Sequence, residues 1–514
     1  ITDIGKYAWR TLQFKPDTDV AMLNAMIYTV IEEGLCDQEF VKNRAYNFEA
    51  LKENIKGYSP EAMAPICGIP AELLREVARE FAKSKASMIL WGMGISQHVH
   101  GTDNARCLIA LVSITGQIGK PGSGLHPLRG QNNVQGSADM GVQPHQGAGY
   151  LDVTKEDVNK KYNAFYGAEV PKHIGYKIPE MFDAALKGKL KAIWIIGEDV
   201  VQTDPNTQKV IRALEATDLV IVQELFMTET AKYADVILPG ASFLEKSGTF
   251  TNGERRVQAV REVVKPIEGA KPDGQIIVEV MNKMGYKQPD CTPEGMLEEI
   301  SQIVPFFAGI RWDRLGKNGL QWPVKPDGTD TKILHLESYK RGRGFFKFNP
   351  WEETAELTEH AKDYPLILTT NRELEHYNCG AMTRRTANEQ ILNDDYLMIN
   401  PKDAGTYLIN DGDYVCVESP RGKVDVKARI TDEVKEGILY VLGEKADNET
   451  PIDYLHKGIS ARAFHRSFTL SDTIVVRGAD LQQGILKINL ENIVPEEKKP
   501  RKIAIGGDKT LLTE

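Results

Sequence analysis

Three short apolar runs between residues 192 and 239 constrain the fold of this chain more than any other feature. They are Ala192-Ile193-Trp194-Ile195-Ile196, Leu219-Val220-Ile221-Val222 and Ala234-Asp235-Val236-Ile237-Leu238-Pro239, and Asn206 to Ala216, between the first two, has helical spacing. Strands joined through a helix lie parallel, because only a crossover returns the chain to the same end of the sheet. The expectation is an α/β fold whose doubly wound parallel sheet carries helices on both faces. Such sheets bind ligands in the crevice beyond the carboxyl ends of their strands. The residues just after 196 and 222 are therefore the first place to look for a site.

Upstream, Asp17-Thr18-Asp19 supplies helix-cap chemistry, and Val20, Leu23, Ile27, Val30 and Ile31 recur at helical spacing until Gly34. A second helix opens at Pro70, with Leu73, Leu74, Val77 and Phe81 on one face. Ala86 to Trp91 reads as a buried strand and Asp103 to Thr115 as an amphipathic helix. Residues 308 to 360, rich in Gly, Lys, Asp and Pro, read as a surface excursion and linker. From about 362 the texture turns to β. Tyr414 to Val417 and Lys423 to Ile430 alternate as half-buried strands around a turn at Ser419-Pro420-Arg421-Gly422, and Gly437 to Leu442 adds another. A closed or nearly closed barrel would remove the exposed edges of these strands.

A chain of 514 residues exceeds what one core organises, and three domains are expected: 1–131, 132–340 and 360–514. Net charge is −9 with no long basic block, which excludes a nucleic-acid footprint; Lys498-Lys499-Pro500-Arg501-Lys502 reads as a solvated tail. No apolar run reaches the roughly 20 residues of a membrane span. The chain opens in mid-phrase at Ile1, so an N-terminal portion is expected to be missing. Cys36, Cys67, Cys107, Cys291, Cys379 and Cys416 are scattered without a CxxC pair. Neither a zinc site nor an iron–sulfur cluster is written in such spacing, and buried reduced thiols are the expectation.

Three patches could carry chemistry. The densest is His126-Pro127-Leu128-Arg129-Gly130-Gln131-Asn132-Asn133-Val134-Gln135-Gly136. Arg129 offers a permanent cation with a planar fork suited to a carboxylate, and four side-chain amides follow within six positions. An ordinary polar surface loop is the competing reading. The second patch is Gly197-Glu198-Asp199 with Gln202-Thr203, extended by Gln223 and Asp273. Asp199 could accept from ribose hydroxyls or pterin N–H groups and Thr203 lies near a helix N-terminus suited to phosphate, or the acids could simply cap a helix. The third is Arg372-Glu373-Leu374-Glu375-His376-Tyr377-Asn378, which suits a diphosphate or pterin edge, or equally an interdomain salt-bridge cluster.

Taken together, Trp91-Gly92-Met93-Gly94 with Gln97, the 128–136 string, Gly197-Glu198-Asp199, Gln223, Ala234 to Pro239 and Gly248-Thr249-Phe250 resemble the dimethyl sulfoxide reductase superfamily of molybdopterin oxidoreductases in order along the chain. Asn400-Pro401 with Asp403-Ala404, then Gly412-Asp413, look like the start of that family's dinucleotide-binding β-barrel, double-psi-like in form. Around Arg129 the sequence is similar to formate dehydrogenase catalytic subunits, whereas periplasmic-type nitrate reductases carry a hydroxyl residue there. The resemblance implies two-electron oxidation of formate to carbon dioxide, or the reverse. The centre is molybdenum or tungsten held by two molybdopterin guanine dinucleotides, with hydride transfer to a metal-bound sulfido group. It implies catalytic roles for Arg129 and Gln131, and cofactor contacts from Gly94, Gln97, Gly197, Asp199, Thr203, Gln223, Asp273, Arg372, His376 and Asn378.

In the family the metal-ligating cysteine or selenocysteine and the [4Fe–4S] cysteines lie N-terminal to the position of Ile1, so no metal ligand is assigned here. The implied partners are formate or carbon dioxide, the missing N-terminal portion, and iron–sulfur electron-transfer subunits linked to a hydrogenase, NAD(P) or ferredoxin, in the cytoplasm. Gly484-Ile485-Leu486-Lys487 resembles the family's pterin-contacting segment only loosely. The alternatives are another oxyanion reductase of the superfamily, such as a nitrate reductase, and a cofactor-free scaffold of the kind found in respiratory complex I.

Overall fold

A computed structural model of the chain describes residues 2–97, 99–392, 394–420, 422–442, 474–482 and 485–492. The chain divides into two compact units, 1–452 and 453–514. The expected third domain, 360–514, therefore straddles this division.

The first unit opens with helix α1 (Asp19–Glu32), whose Val20, Leu23, Ile27 and Val30 are all buried. Thr18 stands at its N-cap, but the hydroxyl donates to the Lys15 carbonyl instead of capping the helix. Helix α2 (Pro60–Cys67) is capped by Ser59, which accepts from the Ala62 amide, and ends at Gly68 with φ +71°. Helix α3 (Ala71–Lys83) starts one residue after Pro70, which takes the N-cap. Strand β1 (Met88–Trp91) passes through helix α4 (Gly101–Ile114) to strand β2 (Gly124–Pro127), and the two strands pair in parallel. The crossover read from the sequence is thus present. However, β1 is not the buried strand expected. Ile89 and Trp91 pack against the core while Leu90 is 56% exposed, because among the described residues this sheet has only two strands and one covered face.

The short helix α5 (Val134–Asp139) follows the 128–133 loop. Helix α6 (Ile178–Leu186) leads to strand β3 (Ala192–Ile196), the one-turn helix α7 (Val200–Thr203) and helix α8 (Thr207–Glu215). Strands β4 (Leu219–Glu224) and β5 (Val236–Pro239) then complete a parallel sheet in the order β3-β4-β5. A nine-residue helix such as α8 is marginal alone. Burial of Val210 and Leu214 against Ile195, Val220 and Val222 stabilises it by about 1.5–3 kcal/mol per side chain. The opposite side of this sheet leaves Ile196 and Val236 exposed among the described residues.

A second small sheet pairs β6 (Gly248–Thr251) and β7 (Arg256–Val260) antiparallel; helices α9 (Asp273–Lys283) and α10 (Pro293–Ile303) follow, and β8 (Leu320–Gln321) adds to β7. The stretch 308–360 departs from the expected surface excursion. Ile310, Leu315 and Val324 are buried beside Phe307, Phe346 enters the core around α1, and the Asn349 carbonyl accepts from Asn24 across 2.8 Å. Isolated apolar anchors set between glycines and charges have no periodicity, so pattern reading misses them.

The β region holds β9 (Ile367–Asn371), β10 (Tyr396–Ile399), helix α11 (Pro401–Tyr407), β11 (Tyr414–Ser419), β12 (Gly422–Ile430) and β13 (Ile438–Leu442). They form a mixed five-stranded sheet in the order β9-β13-β10-β12-β11. Asn400 caps α11 by accepting from the Lys402 amide, and Pro401 occupies its first turn. In the second unit β14 (Ile474–Gln482) and β15 (Ile485–Asn492) pair antiparallel, with a register shift between Val476 and Gly478. Gly484, within the loosely matching 484–487 segment, lies outside the described residues, as do the 498–502 tail and Arg421 of the expected turn. No helix among the described residues is long and apolar enough to cross a membrane.

Candidate functional site

The loops leaving β1 and β2 emerge side by side, because the Leu128 amide donates to the Trp91 carbonyl across 2.8 Å. The first, Gly92 to Gln97, turns tightly, with the Gln97 amide bonded to the Met93 carbonyl at 2.7 Å. A Cβ added at Gly94 would meet nothing within 4 Å among the described residues, so the face beside it is open to them. The second loop carries Arg129 at φ +63° and Asn133 at φ +62°, a left-handed backbone that non-glycine residues adopt only when the surroundings impose it. Asn133 is held by accepting from the Thr251 amide at 2.9 Å. Gly136 is required beneath it, since a Cβ there would lie 2.2 Å from the Asn133 oxygen.

The 372–378 loop of the β region closes over this pair. Gln131 donates to Asn378 Oδ1 at 3.2 Å, the Asn132 amide donates to Tyr377 Oη at 2.9 Å, and Arg372 reaches Met93 Sδ at 3.7 Å. Arg129, Gln131, Arg372 and Asn378, predicted from separate segments, are therefore brought to one place with Gly94. His376 is not turned toward them. It is buried, with Nδ1 at 3.2 Å from Thr383 Oγ1 and Nε2 at 2.6 Å from the Leu392 carbonyl, so its ring pins the loop.

Arg129 is exposed, and its Nε–H donates to Gln135 Oε1 at 2.8 Å. Gln135 in turn donates to Asp139 Oδ1 at 2.9 Å. Asp139, with Tyr150 and Trp322 beside it, was missed from the sequence. The first could have been found, because it lies four residues after Gln135 on one helix face. Burial pushes the Asp139 carboxyl up from its ordinary value, opposed by hydrogen bonds from Tyr150, Gln135 and Trp322 and by the Arg129 charge.

At the carboxyl ends of β3 and β4 the predicted residues divide. Gly197 turns at φ +63°, and among the described residues nothing lies where a Cβ would be. Asp199 is buried and serves the protein itself: Oδ1 accepts from the Thr230 amide and hydroxyl, and Oδ2 from Gln202 at 2.8 Å. It stands at the N-cap position of α7, but its side chain makes no capping hydrogen bond to that helix, so the capping alternative read from the sequence is not what holds it. Thr203 is the last residue of that one-turn helix, not at a helix N-terminus, and donates to Glu198 at 2.7 Å. The N-cap of the next helix, Asn206, follows three residues later, so Thr203 lies near that N-terminus without being part of it.

Gln223 is 1% exposed and donates to Asp273 Oδ1 at 2.7 Å, while Asp273 also pairs with Lys246. Its own Oε1 is buried without a partner among the described residues. A buried acceptor left unpaired costs about 1–3 kcal/mol, so its position favours an arriving N–H donor. Glu224 is pushed up by burial and by Asp199, Glu198 and Asp273, and Asp204 is pushed up to about 6 by burial and Glu198. This rim of acids suits the N–H-rich edge of a purine or pterin and repels phosphate. The orphaned oxygen, open glycine faces and acceptor-rich rim fit a nucleotide-like cofactor.

Of the cysteines, Cys67 and Cys107 are buried and Cys416 is exposed, so the expectation of buried thiols holds only in part. Burial pushes Cys107 up to about 12 and Cys36 to about 11, which keeps both as neutral thiols.

The family described as "Molybdopterin oxidoreductase" matches residues 2–283, and "Molydopterin dinucleotide binding domain" matches 366–457. A third description, "Hsp20/alpha crystallin family", matches 423–506, overlapping the second and running through the β14–β15 hairpin. The F420-dependent formate dehydrogenase subunit alpha of Methanocaldococcus jannaschii is 43% identical over 436 residues, 84% of this chain and 64% of the relative. Formate dehydrogenase H of Escherichia coli is 37% identical over 438 residues, 84% of this chain and 61% of the relative. The chain thus spans under two thirds of the length of the curated relatives it matches. Acetylene hydratase from Pelobacter acetylenicus aligns with a TM-score of 0.64 at 22% identity, over 86% of this chain and 65% of that one, a likeness of fold alone.

Proposed function

The chain belongs to the molybdopterin oxidoreductase family, and from that premise we propose that it forms the formate-binding and cofactor-holding part of a formate dehydrogenase. The observation that carries this reading is the placement of Arg129. A permanent cation, held through its Nε, stands in the loop where the 92–97 and 372–378 segments converge. The names of the relatives, formate dehydrogenases of 37–43% identity, support the substrate.

Formate is a one-carbon anion, and a guanidinium fork can hold both of its oxygens so that the C–H bond points in one direction. Oxidation to neutral carbon dioxide removes the charge that Arg129 binds, so attraction weakens as product forms and release follows. Gln131, tethered to Asn378, would border the substrate. A bis(molybdopterin guanine dinucleotide) centre with molybdenum or tungsten, when bound, supplies the acceptor for the proton and two electrons that formate loses. Gln223 Oε1, the Gly94 and Gly197 faces, and Arg372 would hold that group. The metal-ligating residue, the [4Fe–4S] cluster and the electron-accepting subunits are proposed to come from other polypeptide sequence, since none of the residues above supplies them.

A substrate panel with a dye acceptor tests the proposal on the cofactor-loaded assembly. Formate oxidation should dominate. Strong nitrate or sulfoxide turnover without formate oxidation would overturn it, and an assembly devoid of pterin and metal would favour a scaffold.

A further inference from the structure

Asp139 stands outside the substrate loop, yet the hydrogen bonds running from it decide where the Arg129 guanidinium points. We propose that Asp139 and Gln135 are positioning residues for Arg129, with Tyr150 and Trp322 fixing Asp139 in turn; this rests on the reading of Arg129 as the formate-binding cation. An exposed arginine carries about 2 kcal/mol of rotamer entropy and samples many directions unless one nitrogen is tied. Here Nε–H is tied to Gln135 Oε1 at 2.8 Å, which leaves the terminal edge of the fork to be presented.

A glutamine amide can accept only at its oxygen, so the other end decides which atom faces the arginine. That end, Nε2, donates to Asp139 Oδ1 at 2.9 Å and lies 2.9 Å from Tyr150 Oη. An ionised carboxylate only accepts, so reversing the amide would set the Gln135 oxygen against Asp139 and its NH2 against the Arg129 donor. Asp139 is fully buried, and its two oxygens also receive the Tyr150 hydroxyl at 2.7 Å and the Trp322 indole N–H at 2.8 Å. A buried carboxylate is tolerated only when so satisfied, and Arg129 is the countercharge two hydrogen bonds away. The relay gathers residues 129, 135, 139, 150 and 322 from four stretches of the chain.

The test uses Gln135→Met, which keeps volume while removing both amide functions, Asp139→Asn, and the pair together. In a crystal structure of the full-length Gln135→Met chain, the Arg129 guanidinium should leave its single orientation. In the cofactor-loaded assembly, each single variant should lower kcat/KM for formate about ten-fold with pterin content unchanged. The double variant should be no worse than the poorer single one, because residues in one hydrogen-bond chain do not act additively. A guanidinium unmoved in Gln135→Met, or additive losses in the pair, would overturn the relay. If Asp139→Asn fails to fold, Gln135→Met alone decides. Loss of formate turnover in Arg129→Ala but not in Gln135→Met sinks the relay only, whereas intact turnover in Arg129→Ala sinks the functional reading beneath it.

Discussion

Gln131 and Asn378, 247 positions apart in sequence, meet through a 3.2 Å hydrogen bond that ties the loop after β2 to the loop after β9. With the Asn132 amide on Tyr377 Oη, this makes the β region a wall of the site around Arg129. On the proposed reading, the arrangement would let a cation at the end of one sheet be aimed at a ligand held partly by another.

Asn378→Ala should therefore weaken substrate use without unfolding the chain. A neutral hydrogen bond contributes about 0.5–1.5 kcal/mol, so kcat/KM for formate should fall roughly three- to ten-fold while the melting temperature hardly moves. Steady-state kinetics alongside a thermal melt check this. Unchanged kinetics would mean that the contact is incidental.

Gln223→Met removes an unpaired buried oxygen together with the bond to Asp273. The two effects oppose, so the stability of the chain without cofactor should change by less than about 1 kcal/mol. Pterin content after isolation should fall several-fold. Full pterin content in the variant would show that Gln223 Oε1 has no ligand to meet.

Asp204 carries a pH signature. Its folded value of about 6 lies above the unfolded carboxylate value of about 3.9, so between these the native chain holds a proton that the unfolded chain has lost. Its contribution to stability thus falls as pH rises through that window and stays low above it. Asp204→Asn should melt like the parent near pH 4 and about 2 °C higher at pH 8. That figure assumes solvent screening cuts the effect to about 1 kcal/mol at this half-buried site. A gain at pH 4 equal to that at pH 8 would refute the assignment.

The unit 453–514 is distinct from 1–452, and all six tryptophans (Trp9, Trp91, Trp194, Trp312, Trp322 and Trp351) lie in the larger one. A chain ended after residue 452 should keep its tryptophan-monitored unfolding midpoint. A clear drop would show that the smaller unit supports the larger.

Much of the fold was legible because periodicity reports burial. The α1, α3 and α4 helices, the parallel β3-β4-β5 strands and the β11–β12 hairpin all declared themselves by apolar spacing. What failed was non-periodic or ambiguous. Phe346 and Ile310 look like isolated residues in a polar linker, yet their burial closes two cores. Asp199 was ambiguous: it has the chemistry for a ligand, and its Oδ1 also accepts from the Thr230 amide and hydroxyl, 31 positions on, a pairing no local pattern announces. Arg129 was visible as a cation in a glycine- and amide-rich loop. Its dependence on Trp322, 183 positions beyond Asp139, is tertiary information that no local pattern carries.

The most direct test replaces Arg129 with alanine in the cofactor-loaded assembly and measures formate turnover together with pterin and metal content. A charge-assisted hydrogen bond contributes about 1.5–3 kcal/mol, so loss of the fork should lower kcat/KM by about 100-fold or more, with pterin and metal retained. Formate kinetics equal to those of the parent, at full cofactor content, would contradict the account.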